Sequence, residues 1–219
     1  MNGITSSTVF WYASRATGVV ALLLLTVVFV LGILVNRQGR LPGLPRFAVT
    51  GLHRNLSLLS VAFIAVHVLT AVADSYVSIP LPAIVVPFTS GYERFWLGLG
   101  AVSLDLMIAL IATSLLRRHL GRRLWRAVHR LAYVSWPVAL VHSFGSSTDL
   151  RRGVLLVLAA ACALAVAAAA AWRLVAVARA VPRAQRVGAL MSGQAGLART
   201  DLARTDPPQA HPLVKAGQP

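Results

Sequence analysis

Apolar residues gather into five runs of helix length, separated by short polar stretches. The runs span about Val9–Val35, Phe47–Ala73, Phe95–Leu116, Trp125–Ser143 and Gly153–Val177. About 20 consecutive apolar residues cross the hydrocarbon core of a bilayer as an α-helix. No segment alternates apolar and polar positions as a half-buried strand does. The pattern predicts an all-α fold, a polytopic membrane helix bundle with five transmembrane helices. It also divides the chain into a membrane domain over 1–181 and a polar tail over 182–219, which is too poor in apolar surface to fold alone.

The loops give the bundle a direction. Arg37, Arg40 and Arg46 lie between the first two runs, with Arg54 just beyond and no acid among them. Arg117, Arg118, Arg122, Arg123, Arg126 and Arg130 lie around the junction of the third and fourth runs, again without an acid. The other two loops are mixed, with Asp74, Glu93 and Arg94 in one and Asp149, Arg151 and Arg152 in the other. Positively charged loops stay on the cytoplasmic side. The expected topology is N-terminus outside and C-terminus cytoplasmic, and Arg173, Arg179, Arg183 and Arg186 after the fifth run agree with it.

Composition adds little to this picture but excludes much. The chain is 57% hydrophobic, with a mean hydropathy of +0.72, too apolar for a soluble domain. The net charge of +15 resembles that of a nucleic-acid binder, yet the arginines flank the apolar runs as topology signals do. Lipid, and not nucleic acid, is the expected contact. The first run is long enough to remain as a span, so no cleaved leader is expected. The single cysteine, Cys162, lies in an alanine-rich run and is expected to pack as a small apolar residue. One thiol excludes a dithiol relay and covalent haem attachment through C-x-x-C-H.

The candidate chemistry is histidine. His53 and His67 lie 14 residues apart in the second run, and His129 and His142 lie 13 apart in the fourth. Fourteen helical residues rise about 21 Å, so each run offers one imidazole near either side of the bilayer. The intervening third run makes the second and fourth parallel, which levels His53 with His129 and His67 with His142. Imidazole is a common haem-iron ligand, and two per level satisfy bis-histidine ligation, which suits electron transfer. The phases differ: 14 residues leave His53 and His67 about 40° apart, whereas 13 leave His129 and His142 about 140° apart. Pro137 lies between the latter two and is expected to kink or rewind that helix.

Other polar residues keep more than one reading. Arg15 needs an anionic partner, such as a haem propionate, or a route to the outer surface. Asp105 can pair with Arg15, carry a proton, hydrogen-bond a ligand histidine or join two helices. Arg54, Arg126 and Arg130 suit inner propionates or topology alone. His119 and His211 read as surface residues. Gly98 and Gly100 suit close helix packing, and Trp11, Tyr12, Trp96 and Trp172 suit the membrane interface.

The stretches LHRNLSLLSVAFIAVHVL and LWRAVHRLAYVSWPVALVHSF resemble the paired haem-binding helices of the ferric reductase-like transmembrane family. That family includes NADPH oxidases, ferric reductases and the haem subunit of bacterial methionine-sulfoxide reductase systems. The resemblance covers about Trp11–Val177 and includes ASRATG around Arg15, which is similar to the family's arginine-bearing helix near the outer haem. It implies two non-covalent b haems, with axial ligands His53 and His129 for the inner and His67 and His142 for the outer. Many members have six spans where five are counted here. The stretch after Val177 holds no Gly-rich phosphate loop, so flavin and NAD(P)H are expected only on a partner protein.

The expected function is that of a dihaem b-type membrane cytochrome in a bacterial inner or plasma membrane. It would pass electrons from a flavin-carrying reductase or a quinol to an outer acceptor, as the haem-bearing component of an oxidoreductase. A metal-ion transporter using intramembrane histidines and a non-catalytic scaffold are the alternatives.

Overall fold

The computed structural model describes residues 2–36, 45–74 and 79–204. Arg37, Arg40 and His211 lie outside the described residues, as do the side chains of Arg46, Arg183 and Arg186. Every regular element among the described residues is helical: α1 (Asn2–Asn36), α2 (Arg46–Ala73), α3 (Arg94–Leu115), α4 (Arg122–His129), α5 (Ala132–Ser146) and α6 (Gly153–Arg204), with short 3₁₀ turns between some of them. Among the described residues, four stretches are long and apolar enough to cross a membrane: Thr8–Leu34, Phe47–Ala73, Arg94–Arg118 and Gly153–Arg179.

The chain divides into two compact units, 1–170 and 171–219. In the second unit the described backbone is the remainder of α6, helical to Arg204. The polar composition that begins at Pro182 does not mark the helix end. Alanine, leucine, arginine and glutamine recur there, and all four favour helix.

In the first unit α1 packs along α2 and also meets α5, while α3 packs along α5. The lateral order is therefore α2, α1, α5, α3. α6 presents Ala159, Cys162 and Val166, one face at helical spacing, to α1 and α5. Cys162 is buried against Trp136 and Val166, a small apolar filler. The Trp136 indole N–H donates to the Thr26 hydroxyl at 3.0 Å, and that hydroxyl donates to the Leu22 carbonyl at 2.8 Å. A buried indole N–H thus finds its acceptor inside the bundle, where no water would supply one. α3 and α5 approach through small residues: Ser103 and Ser135 are both buried, and each hydroxyl reaches the other's carbonyl, at 3.4 and 3.5 Å. These bonds are long, so they mark closeness more than they add strength. A Cβ on Gly145 of α5 would stand 1.8 Å from the Trp96 indole of α3, which fixes glycine there by contact.

The predicted fourth span is two helices. α4 and α5 meet at Arg130–Leu131, and α5 is 15 residues long. The joint is overwound: Leu131, Tyr133 and Val134 each bond the carbonyl three residues back. Such turns advance about 120° per residue instead of about 100°, which moves His142 toward the phase of His129. Pro137 lies inside α5 and does not itself mark the break. Its ring crowds the carbonyl four residues back, that of Tyr133, so its effect falls at the start of α5.

Candidate functional site: imidazoles seated on glycine

Three of the four paired histidines are held in one way. His67 on α2 donates through Nδ1 to the Ser14 carbonyl of α1 at 2.7 Å. A Cβ on Gly18, four residues after Ser14, would stand 3.0 Å from the His67 ring. His53, also on α2, donates through Nδ1 to the Val28 carbonyl at 3.1 Å, and a Cβ on Gly32 would lie 3.4 Å from its ring. His142 on α5 donates through Nδ1 to the Trp96 carbonyl of α3 at 2.8 Å, and a Cβ on Gly100 would lie 2.7 Å from its ring. Each seat is thus a carbonyl at position n and a glycine at n+4 on the neighbouring helix. In an α-helix the n carbonyl already takes the n+4 N–H, and a side chain at n+4 would cover it from the side. Glycine leaves that carbonyl open to a second donor.

The seat fixes the tautomer. A carbonyl only accepts, so Nδ1 carries the proton and Nε2 keeps its lone pair. An imidazole whose other nitrogen donates to a carbonyl is the usual form of a metal-ligating histidine.

The rings of His67 and His142 come within 6.5 Å, centre to centre, at an interplanar angle of 74°. A metal–imidazole bond of about 2.0–2.1 Å places two imidazoles on opposite sides of one ion with ring centres about 6.3 Å apart. The observed separation fits that span. A cavity of about 680 Å³ opens around this pair, mostly apolar, with Arg15, Gly18, Gly100 and Asp149 in its wall. It lies between α2 and α5, walled by α1 and α3.

His129, at the end of α4, differs from the other three. It stands within electrostatic reach of His53, but its Nδ1 is buried without a hydrogen-bond partner among the described residues. Its ring stacks on Trp125 at 5.0 Å and 20°, and the Trp125 Nε1 is also buried without a partner. The Arg117 guanidinium lies over the other ring of that stack, 4.7 Å from the Trp125 centre.

Arg15 pairs with Asp149, tying α1 to the turn before α6, and its guanidinium lies over Trp11 at 4.0 Å. Asp105 is half-buried in α3 and is not the partner of Arg15. Asp74, buried at the end of α2, adds a carboxylate to the cavity wall. His119 is exposed. Among the described residues no three His, Cys, Asp or Glu side chains converge as a closed metal-ion site requires. The glycine seats and the Trp125–His129 stack escaped the sequence reading. Gly18 and Gly32 inside apolar runs were the available signal, but nothing in the sequence says which ring rests on which glycine.

Long apolar helices with imidazoles directed between them define a multi-pass membrane protein whose polar chemistry lies in its interior. A family model described as ferric reductase like transmembrane component matches residues 17–140, more than half of the chain, and the chain belongs to that family. Neither the curated proteins nor the solved structures yield a match. Family membership points to a membrane electron-transfer component, and transmembrane domains of this family generally bind haem.

Proposed function

We propose that this protein is a dihaem b-type membrane cytochrome that carries electrons across the bilayer. The observation that carries the reading is the His67–His142 pair: two imidazoles 6.5 Å apart, each with Nδ1 committed to a backbone carbonyl and Nε2 left to bind. Haem held by these two imidazoles would supply reversible one-electron chemistry at iron.

The chain's own residues supply ligation, spacing and exclusion of water. His67 and His142 would hold the outer haem and His53 and His129 the inner one, with the α4–α5 pair completing a fifth crossing. Gly18 and Gly100 give the outer rings their close approach to α1 and α3. Arg15, at the cavity wall, would serve a propionate while Asp149 holds its position. The inner level faces the arginine loop, where an acidic flavin-carrying reductase would dock by charge; a quinol is the other donor class.

The test is the haem content of purified protein. Two haems per chain by pyridine haemochrome, with low-spin spectra, are expected. His67→Ala and His142→Ala should leave the same residual spectrum, and His53→Ala and His129→Ala should leave another. One haem per chain in a haem-replete sample, or matching spectra for His67→Ala and His129→Ala, would overturn the assignment.

A further inference from the structure

The two histidine pairs are unequal. His67 and His142 both donate to carbonyls at short distance, 2.7 and 2.8 Å. In the other pair His53 donates at 3.1 Å, and the buried Nδ1 of His129 has no acceptor among the described residues. An imidazole that donates through one nitrogen is more basic at the other. The more basic ligand favours the more positive oxidation state of the metal it binds.

Charge separates the pairs in the same direction. Near His129, Arg117 lies over Trp125, while Arg122, Arg123 and Arg126 project from α4. On the α4 helical wheel these three fall within about 100° of one another, on one face. No acid occurs between Asp105 and Asp149 to balance them. Around His67 and His142, by contrast, Arg15 is neutralised by Asp149. Uncompensated positive charge favours the reduced, less positive iron. Burial runs the other way: His67 and His142 are more deeply enclosed than His53 and His129, which disfavours added charge on an iron held there, so the ligand and charge differences have to exceed it.

We propose that the His53–His129 level has the higher reduction potential and the His67–His142 level the lower. This rests on the two-haem reading above. A single electron from a flavin or quinol donor then resides at His53–His129. Haem held at the two levels would supply the one-electron exchange between them, one level losing the electron that the other gains, with no proton or atom moved. The half-reduced protein therefore withholds its electron from the Arg15–Asp149 end until an acceptor there draws it. Ser14 with Gly18, and Trp96 with Gly100, act as positioning residues that set the lower potential through the ligands.

The experiment is a potentiometric titration of the full-length, haem-loaded protein in nanodiscs, with haem counted in the same sample. An equilibrium preference of about tenfold or more is expected, seen as two one-electron waves at least about 59 mV apart. His142→Ala should keep the higher wave and His129→Ala the lower. Gly18→Ala, whose added Cβ would press on the His67 ring at 3.0 Å, should raise the lower wave and leave the upper in place. Gly18→Ala decides the matter if the histidine variants lose all haem. Two haems with coincident waves, a reversed order in the variants, or an unmoved lower wave in Gly18→Ala would overturn the inequality while leaving the two-haem reading intact. A count of one haem overturns that reading, and this inference with it.

Discussion

The Gly100 backbone and the His142 imidazole sit so close that a single methyl would not fit between them: a Cβ there would lie 2.7 Å from the ring. Four residues earlier on the same helix, the Trp96 carbonyl takes the His142 Nδ1–H. The same two parts, carbonyl and glycine, recur at Ser14–Gly18 for His67 and at Val28–Gly32 for His53. The repeat gives the site its economy: α1 and α3 need no side chain to orient the ligands. It also makes the glycines as specific as the histidines they face.

Gly100→Ala is therefore expected to displace His142 and abolish binding at the His67–His142 level. The overpacking should cost roughly 1–3 kcal/mol of stability. Gly121→Ala, where an added Cβ meets nothing within 4 Å, is the control. Haem content and thermal unfolding in detergent measure both. Equal haem content in the two variants would refute the seat as a packing constraint.

Pro137→Ala should let α4 and α5 approach one continuous helix. The overwound joint at Arg130–Leu131 would relax toward about 100° per residue, carrying His129 out of phase with His142. The expected result is loss of one haem per chain, with the spectrum of the His67–His142 level retained. An unchanged haem count would show that the joint holds without the proline.

The Arg15–Asp149 pair joins α1 to the α5–α6 turn, and Asp149 is 49% exposed. A partly exposed pair of this kind contributes about 0–1 kcal/mol. Asp149→Asn should shift thermal unfolding little. Arg15→Gln should cost more in haem retention, because Arg15 is the cation at the cavity wall that would meet a propionate, whereas Asp149 only holds it in place. If both variants retain haem equally, Arg15 has no role toward the bound group beyond its ion pair.

Neutralising Arg117, Arg118, Arg122 and Arg123 together should slow haem reduction by a protein donor while leaving the haem count unchanged. Raising salt should slow it as well, since exposed charges are screened over about 8 Å at physiological ionic strength. Stopped-flow reduction with an added flavin reductase measures the effect. A rate insensitive to both changes would leave these arginines with topology alone. Rapid reduction of the isolated chain by NADPH would remove the need for a partner.

Much of the bundle could be read along the chain because hydropathy and helix length are local properties. The runs that become α1, α2, α3 and the first part of α6 announce themselves by about 20 apolar residues each. Histidine in such runs stands out because the membrane interior disfavours it. The fourth run was legible as apolar and as distorted between His129 and His142, but the place of the break was not, because Pro137 acts on the turn before it and the winding at Arg130–Leu131 depends on how α5 packs against α3. The partner of Arg15 was out of reach for a related reason: Asp149 lies in a turn remote in sequence, and Asp105 is closer by hydropathy alone.

The glycine seats mark the boundary between the two kinds of information. Composition shows that Gly18, Gly32 and Gly100 interrupt apolar runs, and spacing shows where His53, His67 and His142 sit. Which carbonyl each imidazole meets depends on the lateral order α2, α1, α5, α3 and on the distance between backbones. Neither is a property of any single segment. Both arise when helices pack against one another, because a buried N–H must find its acceptor on whichever neighbour comes close enough to offer one.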